Sequence, residues 1–103
     1  RIAKEEIFGP VMSVFKWSDE QEALSLANST EFGLTASIWT HDIGAALRAA
    51  RAVKAGYVWI NGASAHYYGT PFGGMKNSGL GREEGLEELL SYTETKSVHV
   101  RLA

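Results

Sequence analysis

Ile43, Ala46, Leu47, Ala50 and Val53 recur at the spacing of one helix face, and the run Tyr57-Val58-Trp59-Ile60 that soon follows is apolar at every position. A strand apolar at successive positions has no solvent face, so it is predicted to be buried on both sides, as in a parallel sheet covered by helices. Gly56 stands between the two and is read as the C-cap of a helix running to about Ala55, with Thr40 or Asp42 as its N-cap. This helix-into-buried-strand unit constrains the fold more than any other feature.

The preceding residues repeat the pattern. Val11, Ser13, Phe15 and Trp17 alternate with Met12, Val14 and Lys16, which predicts a strand over 11–17. Ser18 with Gln21 three positions on forms a capping box, opening a helix to Ala27 that buries Ala23, Leu24 and Ala27. Asn28 to Gly33 reads as a turn, and Thr35 to Thr40, around Ile38 and Trp39, as a second strand. Strand, helix, strand, helix, strand predicts an α/β fold with a partial parallel βαβαβ sheet.

Beyond Asn61 the character changes. Seven of the eleven glycines lie between Gly62 and Gly85, too dense for regular structure and the natural place for a functional surface. A short helix is predicted from about Arg82 to Ser91, burying Leu86, Leu89 and Leu90. The acidic set Glu83, Glu84, Glu87 and Glu88 then falls in its first turns, a solvated face opposing the helix dipole. Lys96 to Leu102 alternates again and reads as a final strand, with Val98, Val100 and Leu102 on one face.

Composition excludes several functions. The net charge of −2 comes from acids and bases mixed along the chain, with no basic stripe, so nucleic-acid binding is not expected. The longest apolar run is far too short to span a membrane, and no signal-peptide pattern appears, so the default expectation is a cytoplasmic protein. There is no cysteine, which removes disulfides and thiolate ligands. His41, His66 and His99 are scattered without ligand spacing, so no metal site is expected. Gly79-Leu80-Gly81 continues as G-x-G-x-x-x-G after a loop, which is not a dinucleotide fingerprint. Ser64 lies in a segment lacking the second glycine of a nucleophile elbow. Asn28-Ser29-Thr30 matches a glycosylation sequon but has no secretory context. The first residue, Arg1, fits a fragment or a processed chain.

Two motifs carry a resemblance. Glu5-Glu6-Ile7-Phe8-Gly9-Pro10 and Pro71-Phe72-Gly73-Gly74-Met75-Lys76-Asn77-Ser78-Gly79-Leu80-Gly81-Arg82-Glu83 occur in the order seen at the C-terminal end of the aldehyde dehydrogenase superfamily, which the chain resembles from about Lys4 to Leu102. The resemblance implies residues 1–94 as the end of a catalytic domain and 95–103 as a strand joining an oligomerisation sheet between subunits, hence a homo-oligomer. It implies NAD or NADP as cofactor and an aldehyde as substrate. A cysteine thiolate attacks the carbonyl, hydride passes to the nicotinamide, and water releases the acid. Glu6 would accept hydrogen bonds from the two hydroxyls of the nicotinamide ribose, and Phe8 would pack near the nicotinamide. Phe72 would form an aromatic wall of the substrate tunnel, with His66, Tyr67 and Tyr68 near it. Taken alone, Glu5 and Glu6 also read as surface charges ahead of a strand, Phe8 as core, and the tyrosines as loop packing.

The nucleophile, general base and Rossmann domain of that superfamily precede the matching segment, so no catalytic residue is assigned. The chain alone is expected to be inactive. The alternative is a non-catalytic oligomerisation or interaction module derived from the family. An independent nucleotide-binding domain is disfavoured by the missing phosphate loop.

Overall fold

The computed structural model describes all of residues 1–103. In chain order it contains α1 (Glu20–Asn28), β1 (Phe32–Gly33), β2 (Thr35–Ile38), α2 (Ile43–Ala52), β3 (Tyr57–Ile60), β4 (Met75–Lys76) and α3 (Leu86–Ser91). The central unit is the anticipated one. β2 and β3 pair in parallel, from Thr35 opposite Tyr57 to Ile38 opposite Ile60, and α2 makes the crossover between them.

Local chemistry sets the helix ends. Asp42 is the N-cap of α2, its Oδ1 accepting from the Gly44 and Ala45 amides at 2.7 and 3.1 Å. Asp19 rather than Ser18 caps α1, accepting from the Glu22 amide at 2.8 Å. Glu22 reaches back to the Ser18 amide and hydroxyl at 2.8 and 2.7 Å, so the box is set one residue later than the Ser18–Gln21 reading. α2 stops at Ala52, with the extended Val53 as its cap. Gly56 therefore does not cap the helix; a Cβ there would overlap the Gly73 carbonyl, and the glycine allows two backbone segments to touch. Arg48 of α2 and Glu20 of α1 form an exposed ion pair at 2.9 Å.

The first predicted strand is corrected, and the last finds no ladder partner within this chain. Residues 12–17 and 94–103 make no backbone hydrogen bond, so the βαβαβ sheet lacks its first member and the C-terminal segment forms no ladder. Alternation tells which residues share a face, but a strand also needs a neighbour. An unpredicted antiparallel pair is present, with Phe32 opposite Lys76 and Gly33 opposite Met75. Lys76 sits at φ 54°, and its ammonium donates to the Asn28 and Thr30 carbonyls at 3.0 and 2.9 Å. α3 begins at Leu86, later than the sequence suggested, and its Leu86, Leu89 and Leu90 face solvent rather than a core.

The core is small: Ala46, Ala55 and Tyr57 are the buried apolar residues. The molecule exposes 8,778 Å², against about 5,700 Å² for a compact protein of this mass. Its radius of gyration is 19.0 Å, where a compact domain of this length has about 13 Å. The surplus lies on an elongated body bearing exposed Ile2, Val14, Trp17, Val98 and Val100. No helix is long and apolar enough to cross a membrane, and no cluster of three or more potential ligand side chains is suited to a metal.

Candidate functional site

Tyr57 and Trp59 are two apart on β3, so both project from the same face, and their rings meet at 4.8 Å. Asn61, just past the end of β3, takes φ 53° and exchanges two side-chain hydrogen bonds with the Thr40 backbone at 2.9 and 3.0 Å. Asparagine tolerates that left-handed conformation better than most residues. The Trp59 indole N–H then donates to the Ala65 carbonyl at 2.7 Å, drawing the following loop back over the strand.

That return places His66 on the cluster. Its ring stacks on Tyr57 at 5.6 Å with an interplanar angle of 14°, and meets Phe72 at 4.7 Å. Phe72 is held by two backbone bonds to Glu83, the Phe72 amide donating at 2.9 Å and accepting at 2.6 Å through its carbonyl. Gly69 donates to the Glu84 carbonyl at 3.0 Å. His66 Nδ1 lies 2.8 and 3.0 Å from the two Glu84 carboxylate oxygens. Arg82 ties the neighbouring loop by donating to the Gly74 and Gly81 carbonyls at 2.8 and 2.9 Å.

Phe72 and His66, singled out from sequence, are thus brought together. Tyr57, Trp59 and Glu84 were not singled out for this site. The i, i+2 aromatics of β3 are a signal that could have found the first two. Glu84 had none, being 18 residues from His66, and it is no part of a solvated helix face as the sequence suggested. It precedes α3 and its backbone amide donates to Glu88 Oε2 at 2.8 Å.

Glu6 and Phe8 lie elsewhere. Glu6 borders a separate cleft with Phe32, Leu34, Thr35 and Lys54. The cleft beside Phe72 shares Leu34 and Ser78 with it, so these two residues stand between the clefts. The neighbouring glutamates differ: Glu5 is held by Arg1 at 3.0 and 3.2 Å, whereas Glu6 has no side-chain partner. Phe8 is 94% exposed at φ 53°, a conformation unusual for a bulky residue. It is not core. Tyr68 is fully exposed and Tyr67 largely so, and neither joins the aromatic cluster.

Against known proteins, residues 1–98 match the model of the aldehyde dehydrogenase family. The chain is 53% identical over 102 residues to aldehyde dehydrogenase tropH of Talaromyces stipitatus, covering 99% of this chain and 20% of that one. It is 50% identical, with the same coverage, to mouse retinaldehyde dehydrogenase 3. It therefore spans about one fifth of the length of the curated relatives it matches. Among solved structures, PnpE from Pseudomonas sp. WBC-3 matches all of this chain and 22% of its own at 42% identity and a TM-score of 0.88. Betaine aldehyde dehydrogenase of Staphylococcus aureus, in complex with NAD+, matches 89% of this chain and 18% of its own at 47% identity and a TM-score of 0.85. A parallel βαβ unit, two motifs in order and near-complete matches converge on one conclusion: the chain belongs to the aldehyde dehydrogenase family.

Proposed function

We propose that this segment works within an NAD(P)-dependent aldehyde dehydrogenase that oxidises an aldehyde to a carboxylic acid. It supplies the ribose clamp and part of the substrate wall, with the cysteine nucleophile elsewhere in the enzyme. The observation that carries this is the contrast between Glu5 and Glu6. One carboxylate is consumed by a salt bridge, while the other keeps both oxygens available for a pair of adjacent hydroxyls.

The nicotinamide, when bound, supplies the hydride acceptor. Glu6 binds its ribose, and the exposed Phe8 ring limits how far the nicotinamide swings. Phe72 and His66 form an aromatic wall against the aldehyde, with Tyr57 behind them. The exposed Val98, Val100 and Leu102 suit addition to a partner's sheet edge, which supports a homo-oligomer joined through the 95–103 strand. That surface alone would equally serve a non-catalytic assembly module.

The test compares the chain alone with the enzyme carrying it in its complete reading frame, following NADH or NADPH formation with an aldehyde. The enzyme should turn over and the chain alone should not. Glu6→Gln in the enzyme should raise the cofactor KM about tenfold through loss of charge-assisted bonds. Turnover by the cysteine-free chain, or an unmoved cofactor KM in the variant, overturns this assignment.

A further inference from the structure

Resting on that reading, we propose that Glu84 is a positioning residue that aims His66 at the substrate, so that the enzyme favours aldehydes bearing a hydroxyl on an apolar or ringed body. The His66 ring is held by its aromatic neighbours: Tyr57 stacks on it, and Phe72 packs against it at a tilt, 4.7 Å away. A carboxylate can only accept, so with both Glu84 oxygens within 3.0 Å the Nδ1 position holds a proton in either charge state of the ring. The atom left over is Nε2, which has no partner within the chain although the side chain is 38% exposed.

Nε2 is thus an unpaired polar atom beside the rings of Tyr57, Trp59 and Phe72, where the Trp59 N–H is already given to the Ala65 carbonyl. It accepts a hydrogen bond when the ring is neutral and donates one when the ring is charged. A hydroxyl does both, so it matches Nε2 in either state, whereas a carbonyl or a quaternary ammonium does not. A site with an oriented polar atom in apolar surroundings discriminates strongly against an analogue lacking the matching group.

Glu84 is built to hold this aim. It sits at φ 63°, strained for a glutamate. Three backbone ties fix the segment: its carbonyl accepts from Gly69, its amide donates to Glu88, and the preceding Glu83 is bridged to Phe72. Surface ion pairs between mobile side chains contribute little. Here both ends are anchored, His66 by its stack and Glu84 by its backbone, so the pair serves orientation more than stability.

The experiment uses the complete enzyme and two variants. Glu84→Asn tolerates the left-handed backbone but is one methylene short of His66. Glu84→Gln keeps an acceptor at the same reach. Benzaldehyde and its monohydroxylated isomers are the probes, and nitrogen NMR of the imidazole reports the tautomer independently of activity. The wild type should prefer at least one hydroxylated isomer. Glu84→Asn should raise the KM for that isomer about tenfold, leave benzaldehyde and cofactor KM unchanged, and release the fixed Nδ1–H tautomer. Glu84→Gln should keep the preference. Equal KM changes for both aldehydes, no wild-type preference, or an unaltered tautomer in Glu84→Asn overturns the proposal. An enzyme that oxidises no aldehyde overturns the functional reading instead, and the nitrogen shifts still decide whether Glu84 positions His66.

Discussion

The segment from Glu20 to Thr93 and the two arms that flank it obey different physics. In the middle, α2 crosses between two paired strands, and remote residues tie loops to helices. In the arms, residues 12–17 and 94–103 have the right alternation and no backbone partner at all. The same apolar content gives a folded unit where neighbours exist and an extended apolar surface where they do not. The surplus of about 3,000 Å² over a compact protein of this mass exceeds one partner's share of most obligate interfaces, about 1,000–2,500 Å².

The sharpest way to break this contrast is a pair of glycine substitutions, read as urea midpoints of the chain. Gly56→Ala drives a Cβ into the Gly73 carbonyl and should cost about 3 kcal/mol. Gly9→Ala meets nothing within 4 Å and should stay within about 0.5 kcal/mol. Equal effects would mean the middle is no better packed than the arm. Next in size, Asp42→Ala removes an acceptor shared by two amides and should lower stability by about 1 kcal/mol, seen as a lower melting temperature. Phe8→Gly sharpens the comparison from the other side. Relieving φ 53° at a solvent-exposed ring should leave the chain unchanged or more stable by a few tenths to about 1 kcal/mol, while weakening cofactor binding in the enzyme. A destabilised Phe8→Gly chain would show that the arm packs after all.

The smallest effect concerns pH. Hydrogen bonds from the Ser18 hydroxyl and amide hold the Glu22 carboxyl below the usual glutamate range. A depressed carboxyl binds its proton more readily in the unfolded chain, so the contribution is complete above the ordinary glutamate value, about 4.3. It is lost as pH falls through the lower folded value. Glu22→Gln should flatten that acid limb of helix content by circular dichroism. An identical acid limb in the variant would remove Glu22 from the account.

Much of this was legible in the sequence because it is local. The α2 face, the apolar run of β3 and a cap at Thr40 or Asp42 follow from spacing within a dozen residues, and the structure selects Asp42. Phe72 and His66 were found through a motif and an aromatic run, and they do meet. Glu84 escaped because its meaning comes from a residue 18 positions away, and a glutamate near a helix start has a commoner explanation. The β1–β4 pair escaped because each strand is two residues long, too short to show a period. The N-terminal arm misled for the opposite reason: Val11 to Trp17 has a period and lacks a partner.

One tie has a consequence for how the protein is made. α1 has no basic residue in its last turn, and the positive charge that meets the carbonyls at its end belongs to Lys76. A ribosome releases Asn28 long before Lys76, so the helix emerges with that end unanswered. α1 should therefore remain frayed on the nascent chain and settle only once the glycine-rich loop has left the exit tunnel. A stall anywhere between these two residues would hold the chain with α1 unfinished.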